Sequence, residues 1–141
     1  MIREATADDL EFCVDLWREW WDEAPMPRWT WESLLAVQQA TFEGVTRGLC
    51  PGVALVELDG GVLLWADLQR SNVLHGFGVY VRPELRGRNI GTRLALEGIR
   101  LGRQRGFERI LVSPYAGNVV SRKWLASLGF LELQVVLGKE L

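Results

Sequence analysis

Val79-Tyr80-Val81-Arg82-Pro83-Glu84-Leu85-Arg86-Gly87-Arg88-Asn89-Ile90-Gly91-Thr92 decides how the rest of the chain is read. An apolar strand stops at Pro83, a loop rich in Gly, Arg and Asn follows, and a helix opens at Ile90. Such a loop turns successive backbone N–H groups toward one point, where the helix N-terminus adds partial positive charge. Gly87 and Gly91 let the backbone approach a ligand closely, and Arg86 and Arg88 can add charge-assisted contacts. The stretch reads as a diphosphate site. It is not a Walker loop, because no Gly-Lys-Ser/Thr occurs in the chain, nor a Rossmann fingerprint, because Gly76-x-Gly78 lies inside a strand without a third glycine.

Upstream, Ile2 to Thr6 predicts a short strand and a helix start capped by Thr6, with Asp8 and Asp9 in the first turn. Leu10, Cys13, Val14, Trp17 and Trp21 recur at helical spacing until Pro25. A second helix is predicted from about Thr30 to Arg47. Strands over residues 53–58 and 62–68 flank Asp59-Gly60-Gly61, a hairpin turn, and Leu74 to Val81 forms the next strand. Downstream, Ile90, Leu94, Leu96, Ile99 and Leu101 predict a helix to about Arg105. Glu108 to Tyr115 is read as a strand, Asn118 to Leu128 as a helix, and Phe130 to Leu137 as a last strand. The order is βααβββαβαβ: an α/β chain with one mixed sheet, helices on both faces, and a single domain over residues 1–141.

Composition narrows the function. Residues 1–70 carry 13 carboxylates against 5 cationic side chains, and residues 71–141 carry 5 against 11. An anionic ligand suits the second half and a cationic one the first, unless these are merely solvated faces. A pI of about 5.5, with few aromatics among the basic residues, speaks against nucleic acid. Cys13, Cys50 and one His offer no metal-ligand spacing, so no metal is expected and the thiols read as reduced. No apolar run approaches the roughly 20 residues that span a bilayer. The chain is therefore expected in the cytoplasm without a membrane partner.

Arg86 through Gly91 resemble the pyrophosphate loop of the GNAT N-acetyltransferases, Gln/Arg-x-x-Gly-x-Gly/Ala, except that Asn89 stands where that family usually has Gly. Asn tolerates a left-handed backbone, so the loop should keep its geometry. Asn118-x-x-Ser121-x-x-Trp124-Leu125-x-x-Leu128-Gly129-Phe130 resembles the family's second motif. The resemblance implies acetyl-CoA as cosubstrate, bound by Arg86, Gly87, Arg88, Asn89, Ile90, Gly91 and Thr92 at the diphosphate. It implies that the strand end Val79, Tyr80 and Val81 pairs with the pantetheine arm, with Asn118 and Ser121 beyond. Asn118 is equally an ordinary helix N-cap.

His75 is the candidate general base, matched to a position several family members use, with Asp67, Asp22 and Glu23 as rivals. The family's usual Tyr acid falls on Leu125, which has no proton to give; Tyr115 is nearby in sequence. On the acceptor side, Trp20, Trp29 and Trp31 stand among Asp15, Glu19, Asp22, Glu23 and Glu32, a mixture that suits an amine cation. The expected partner is a small-molecule or peptide amine, with the chain acting as a monomer or homodimer. Two other readings remain open: an acyl-CoA-binding sensor without catalysis, and an interaction domain built on exposed tryptophans.

Overall fold

The computed structural model describes residues 1–26, 29–114, 118–134, 136–139 and 141. Strand β1 (Ile2–Glu4) precedes helices α1 (Leu10–Glu23) and α2 (Trp31–Thr46). Strands β2 (Gly52–Glu57), β3 (Gly61–Ala66) and β4 (Val73–Val81) follow, then α3 (Ile90–Gln104), β5 (Arg109–Leu111) and α4 (Val119–Ser127). The sheet order is β1-β2-β3-β4-β5, antiparallel throughout except for the parallel β4–β5 pair. The α/β class and the mixed sheet are as the sequence predicts.

Alternation along the central strands sends side chains to two cores. On one face Val53, Leu55, Leu63, Trp65 and Leu74 meet Ile90, Leu94, Ala95 and Leu101 of α3. On the other, Ala54, Val56, Val62, Leu64 and Tyr80 meet Cys13, Leu16, Trp17 and Phe42 of α1 and α2, with Trp17 edge-on to Phe42 at 5.8 Å. Burial pushes the Cys13 thiol up to about 12, which leaves it an inert core group. Thr30 caps α2 through a reciprocal pair with Ser33, which fixes where that helix begins.

Two expectations are corrected. Strand β5 spans three residues where eight were predicted, and Tyr115 lies outside the described residues. The last strand, Phe130 to Leu137, does not form among the described residues. Alternation makes a segment competent for a sheet, but only an edge to pair with makes it a strand.

Candidate functional site

The strand before the loop is distorted where the site begins. Leu63 pairs with Val79 and Trp65 with Gly76, so two residues of β3 span three of β4. This β-bulge falls at Phe77–Gly78, where Gly78 has φ +120°, a conformation L side chains rarely adopt. A Cβ there would also stand 3.1 Å from the Trp20 ring of α1. The carbonyl of Phe77 accepts a hydrogen bond from Nε2 of Gln38, itself buried in α2, at 2.6 Å. The sequence signal was the glycine pair inside a strand, which marks bulges as well as failed nucleotide motifs.

Beyond the bulge, β4 loses its outer neighbour. β5 pairs only with Val73, Leu74 and His75, so the edge over residues 76–81 has no strand beside it among the described residues. Val79 and Val81 pack toward the α3 core, and Tyr80 lies in the α1–α2 core. A polar chain laid against that edge meets backbone N–H and C=O groups that no strand uses.

The edge leads into the loop. A short 3-10 turn, Pro83–Leu85, is followed by exposed residues 86–89, held between the buried anchors Leu85 and Ile90. Gly87 has φ +84° and Asn89 φ +60°, the left-handed geometry the sequence reading expected Asn to adopt. Asn89 precedes α3 without capping it by its side chain. The helical ladder starts with the N–H of Arg93 donating to the Asn89 carbonyl at 2.9 Å. The amides of Gly87, Arg88, Asn89, Ile90, Gly91 and Thr92 have no acceptor among the described residues. The first turn of α3 carries no acid, and the Arg88 and Arg93 side chains have no partner among the described residues. Cations at a helix N-terminus oppose the dipole, so their presence with six open amides describes an anion site.

Arg86 reaches toward α1. Its guanidinium makes a two-pronged pair with Glu23 of α1 at 2.6 and 2.7 Å, and its Nε donates to the Val81 carbonyl at 3.1 Å. It lies over the Tyr80 ring, 5.6 Å from its centroid, and the Tyr80 hydroxyl donates to the same Glu23 at 3.0 Å. The Arg86 guanidinium holds the Glu23 carboxyl below its ordinary value. Burial, then Glu23, pushes the Tyr80 phenol up to about 12. Its charge is thus engaged on the α1 side rather than at the open amides.

The structure sorts the candidate bases by commitment. Asp67 accepts from the amides of Ser71 and Asn72 at 2.9 and 2.8 Å and holds the β3–β4 connection. Burial pushes its carboxyl up, but those amides, the Ser71 hydroxyl and the nearby His75 outweigh this and hold it below the ordinary range. Asp22 pairs with Arg18 and Glu23 with Arg86. His75 is the last β4 residue paired to β5, half-buried at the fork where the open edge begins, and its ring has no hydrogen-bond partner among the described residues.

Asn118 caps α4: its Oδ1 accepts from the Ser121 amide at 3.1 Å, and its side-chain NH2 has no partner among the described residues. Trp124 Nε1 donates to Thr92 Oγ1 at 3.0 Å, which ties α4 to the first turn of α3. Sequence reasoning missed this link, as it missed Gln38 and the Glu23–Arg86 pair.

Most of the acidic set expected to attract a cation is already paired. Arg82 bonds Glu19 through Nε at 3.0 Å, Arg18 holds Asp22 and Arg86 holds Glu23. Glu19–Arg82, Glu23–Arg86 and Glu4–Arg105 are pairs between the two halves of the chain. Among the described residues no His, Cys, Asp and Glu side chains cluster as metal ligands, and no helix is long and apolar enough to cross a membrane. A concavity of about 650 Å3 lies at the far end of α3, by Arg105 and Phe107, away from the open amides.

A bulged strand with one open edge thus runs directly into the loop and the start of α3. The sequence pattern of the acetyltransferase (GNAT) family matches residues 11–130. The chain belongs to that family. Among solved structures, this GNAT chain is similar to the aminoglycoside acetyltransferase AAC(6')-Iy in complex with the bisubstrate analogue CoA-S-monomethyl-acetylneamine. The TM-score is 0.72 at 20% identity, covering 99% of this chain and 96% of that one. It is similar to AAC(6')-IG from Acinetobacter haemolyticus, with TM-score 0.72, 18% identity and coverage of 99% and 97%. It is also similar to the paia N-acetyltransferase from Thermoplasma acidophilum in complex with coenzyme A, with TM-score 0.69, 16% identity and coverage of 91% and 87%. At these identities the likeness is one of fold. No curated protein matches the sequence.

Proposed function

We propose that residues 1–141 act as one acetyltransferase domain that binds acetyl-CoA and transfers its acetyl group to a primary amine of a small molecule or peptide. One observation carries this reading: six amides, Gly87 to Thr92, without an acceptor among the described residues at the start of α3, continuous with the edge of β4 that no described strand pairs. The amides and Arg88 take the diphosphate, and the backbone of Val79, Tyr80 and Val81 takes the pantetheine arm. Asn118, through its side-chain NH2, and Ser121 lie at the side of that arm. The complexes of similar proteins with coenzyme A and with a coenzyme A–aminoglycoside analogue support a ternary arrangement.

The chemistry then needs one proton removed and one supplied. An alkylammonium is mostly protonated at neutral pH, and His75, at the fork, takes its proton directly or through water. The amine nitrogen attacks the thioester carbon, and strand N–H groups stabilise the developing oxyanion. The C–S bond breaks, and the thiolate takes a proton from water, because Leu125 has none to give and the Tyr80 hydroxyl is bound to Glu23. A strand rises about 3.3 Å per residue, so His75 stands roughly 16–20 Å along the edge from Val81. The arm must run the length of the open edge for the thioester to reach His75.

Calorimetry with acetyl-CoA, then a thiol-release assay across an amine panel, tests the proposal. His75→Ala should lower turnover about a hundredfold with acetyl-CoA affinity unchanged; equal turnover would remove His75 from the reaction. Leu125 favours a second reading, a domain that binds acyl-CoA without transferring the acyl group. Acetyl-CoA binding with no thiol release over the whole panel would select it.

A further inference from the structure

We infer that Glu23 is a positioning residue for the cofactor loop and acts through Arg86. The inference rests on the proposed reading of residues 86–92 as the coenzyme A site. Arg86 is the first residue of that loop, and its side chain is fixed from four directions: by both oxygens of Glu23, by the Val81 carbonyl, and by the Tyr80 ring beneath it. Glu23 is held in turn by the Tyr80 hydroxyl. The last turn of α1, the end of β4 and the root of the loop are thereby locked together one residue before the first open amide, that of Gly87.

The pair is poorly placed to serve global stability, since its side chains are 46% and 40% exposed and water screens such pairs. Its geometry is nevertheless planar and two-pronged, the form that fixes orientation as well as distance. What it orients is the peptide between Arg86 and Gly87. Beyond Gly87 the left-handed pair Gly87 and Asn89 sets the direction of every amide up to α3. A small rotation at the root therefore moves all six donors relative to a bound diphosphate, and misplacement of about an ångström is costly in such sites.

The sign of mutational effects separates positioning from plain charge. If the pair acted only as two charges, Glu23→Gln would tighten binding of a polyanion and Arg86→Gln would loosen it. A positioning pair gives losses of the same sign. The expected result is a KM for acetyl-CoA raised about tenfold by either change, with the double variant no worse than the weaker binder of the two, as for residues acting through one contact. For Glu23→Gln, kcat at saturation should stay within about twofold, because the chemistry lies at the other end of the edge. S-acetylpantetheine, which lacks the diphosphate, discriminates further: its KM should be the same for wild type and Glu23→Gln. Tyr80→Phe, which removes one hydrogen bond to the carboxylate, should show a weaker form of the same split.

Tighter or unchanged acetyl-CoA binding in Glu23→Gln overturns the inference. So does an equal KM rise for both thioesters, which marks a general disturbance of the fold. Failure of wild-type protein to bind acetyl-CoA at all strikes the proposed function instead, so the two failures are told apart by the first titration.

Discussion

Two helices of this protein begin at an asparagine, and they begin in opposite ways. Asn118 has its side chain turned onto its own helix, where Oδ1 accepts from the Ser121 amide; α4 looks after its own first turn. Asn89 is in the left-handed region and caps nothing with its side chain, and the amides it introduces have no acceptor among the described residues. Hydroxyls in the two first turns differ as well: Thr92 accepts from Trp124, which steadies the start of α3 without occupying its amides. A helix start normally satisfies its donors locally. When a buried anchor on each side holds the backbone open, as Leu85 and Ile90 do, the donors stay available to a ligand.

The largest effect that could break this comparison comes from Gly91→Asp. A Cβ at Gly91 would stand 3.7 Å from Val81 and 3.9 Å from Trp124, ordinary contact distances, and an acid in a first helical turn is favourable. The melting temperature should therefore hold. A carboxylate beside a diphosphate should nevertheless cost acetyl-CoA about a hundredfold in affinity, read by calorimetry. Unchanged affinity would remove the α3 start from cofactor binding.

Asn89→Ala and Asn89→Gly sharpen it next. Alanine in a left-handed conformation costs about 1–2 kcal/mol, whereas glycine adopts it without penalty, so only the alanine variant should lower the melting temperature. Asn118→Ala should cost about 1 kcal/mol through the lost cap, roughly 3 °C of melting temperature. If Asn118 also reaches the pantetheine arm, the KM for acetyl-CoA rises with it. A stability loss alone would confine Asn118 to capping.

What the sequence disclosed and what it hid divide along the same line. Elements set by local chemistry were legible: the 3.6-residue stripe of α1, the Asp-Gly-Gly turn, and the proline that closes β4 before the loop. So was the place of the loop, because glycine, asparagine and arginine mark a strand-to-helix junction within a few residues. Hidden were features that depend on partners far along the chain. Glu23 and Arg86 are 63 residues apart, as are Glu19 and Arg82, and no local pattern links them. Their pairing engages two of the five carboxylates expected on the acceptor side. The bulge at Gly78 needed Trp20 above it and Gln38 to take a displaced carbonyl. Phe130 to Leu137 failed for the converse reason, since its alternation was legible but no sheet edge receives it among the described residues.

The smallest expected effect concerns protons, and it too separates the two helix starts. The α4 cap is a neutral amide, so its strength should not change with pH. The root of the α3 loop hangs on a carboxylate. Arg86 holds the Glu23 carboxyl below its ordinary value, so the group's contribution is fully present above the unfolded-chain value, about 4.3. It is lost as pH falls below that, through the lower folded value. Acidification from pH 6 toward 3 should therefore shift the amide resonances of Gly87 to Asn89 in a single titration, while that of Ser121 moves little. Because the pair is partly exposed, the accompanying change in stability should be slight. Glu23→Gln should abolish the titration at residues 87–89 and leave α4 as it was; a titration that persists in that variant would mean another acid governs the loop.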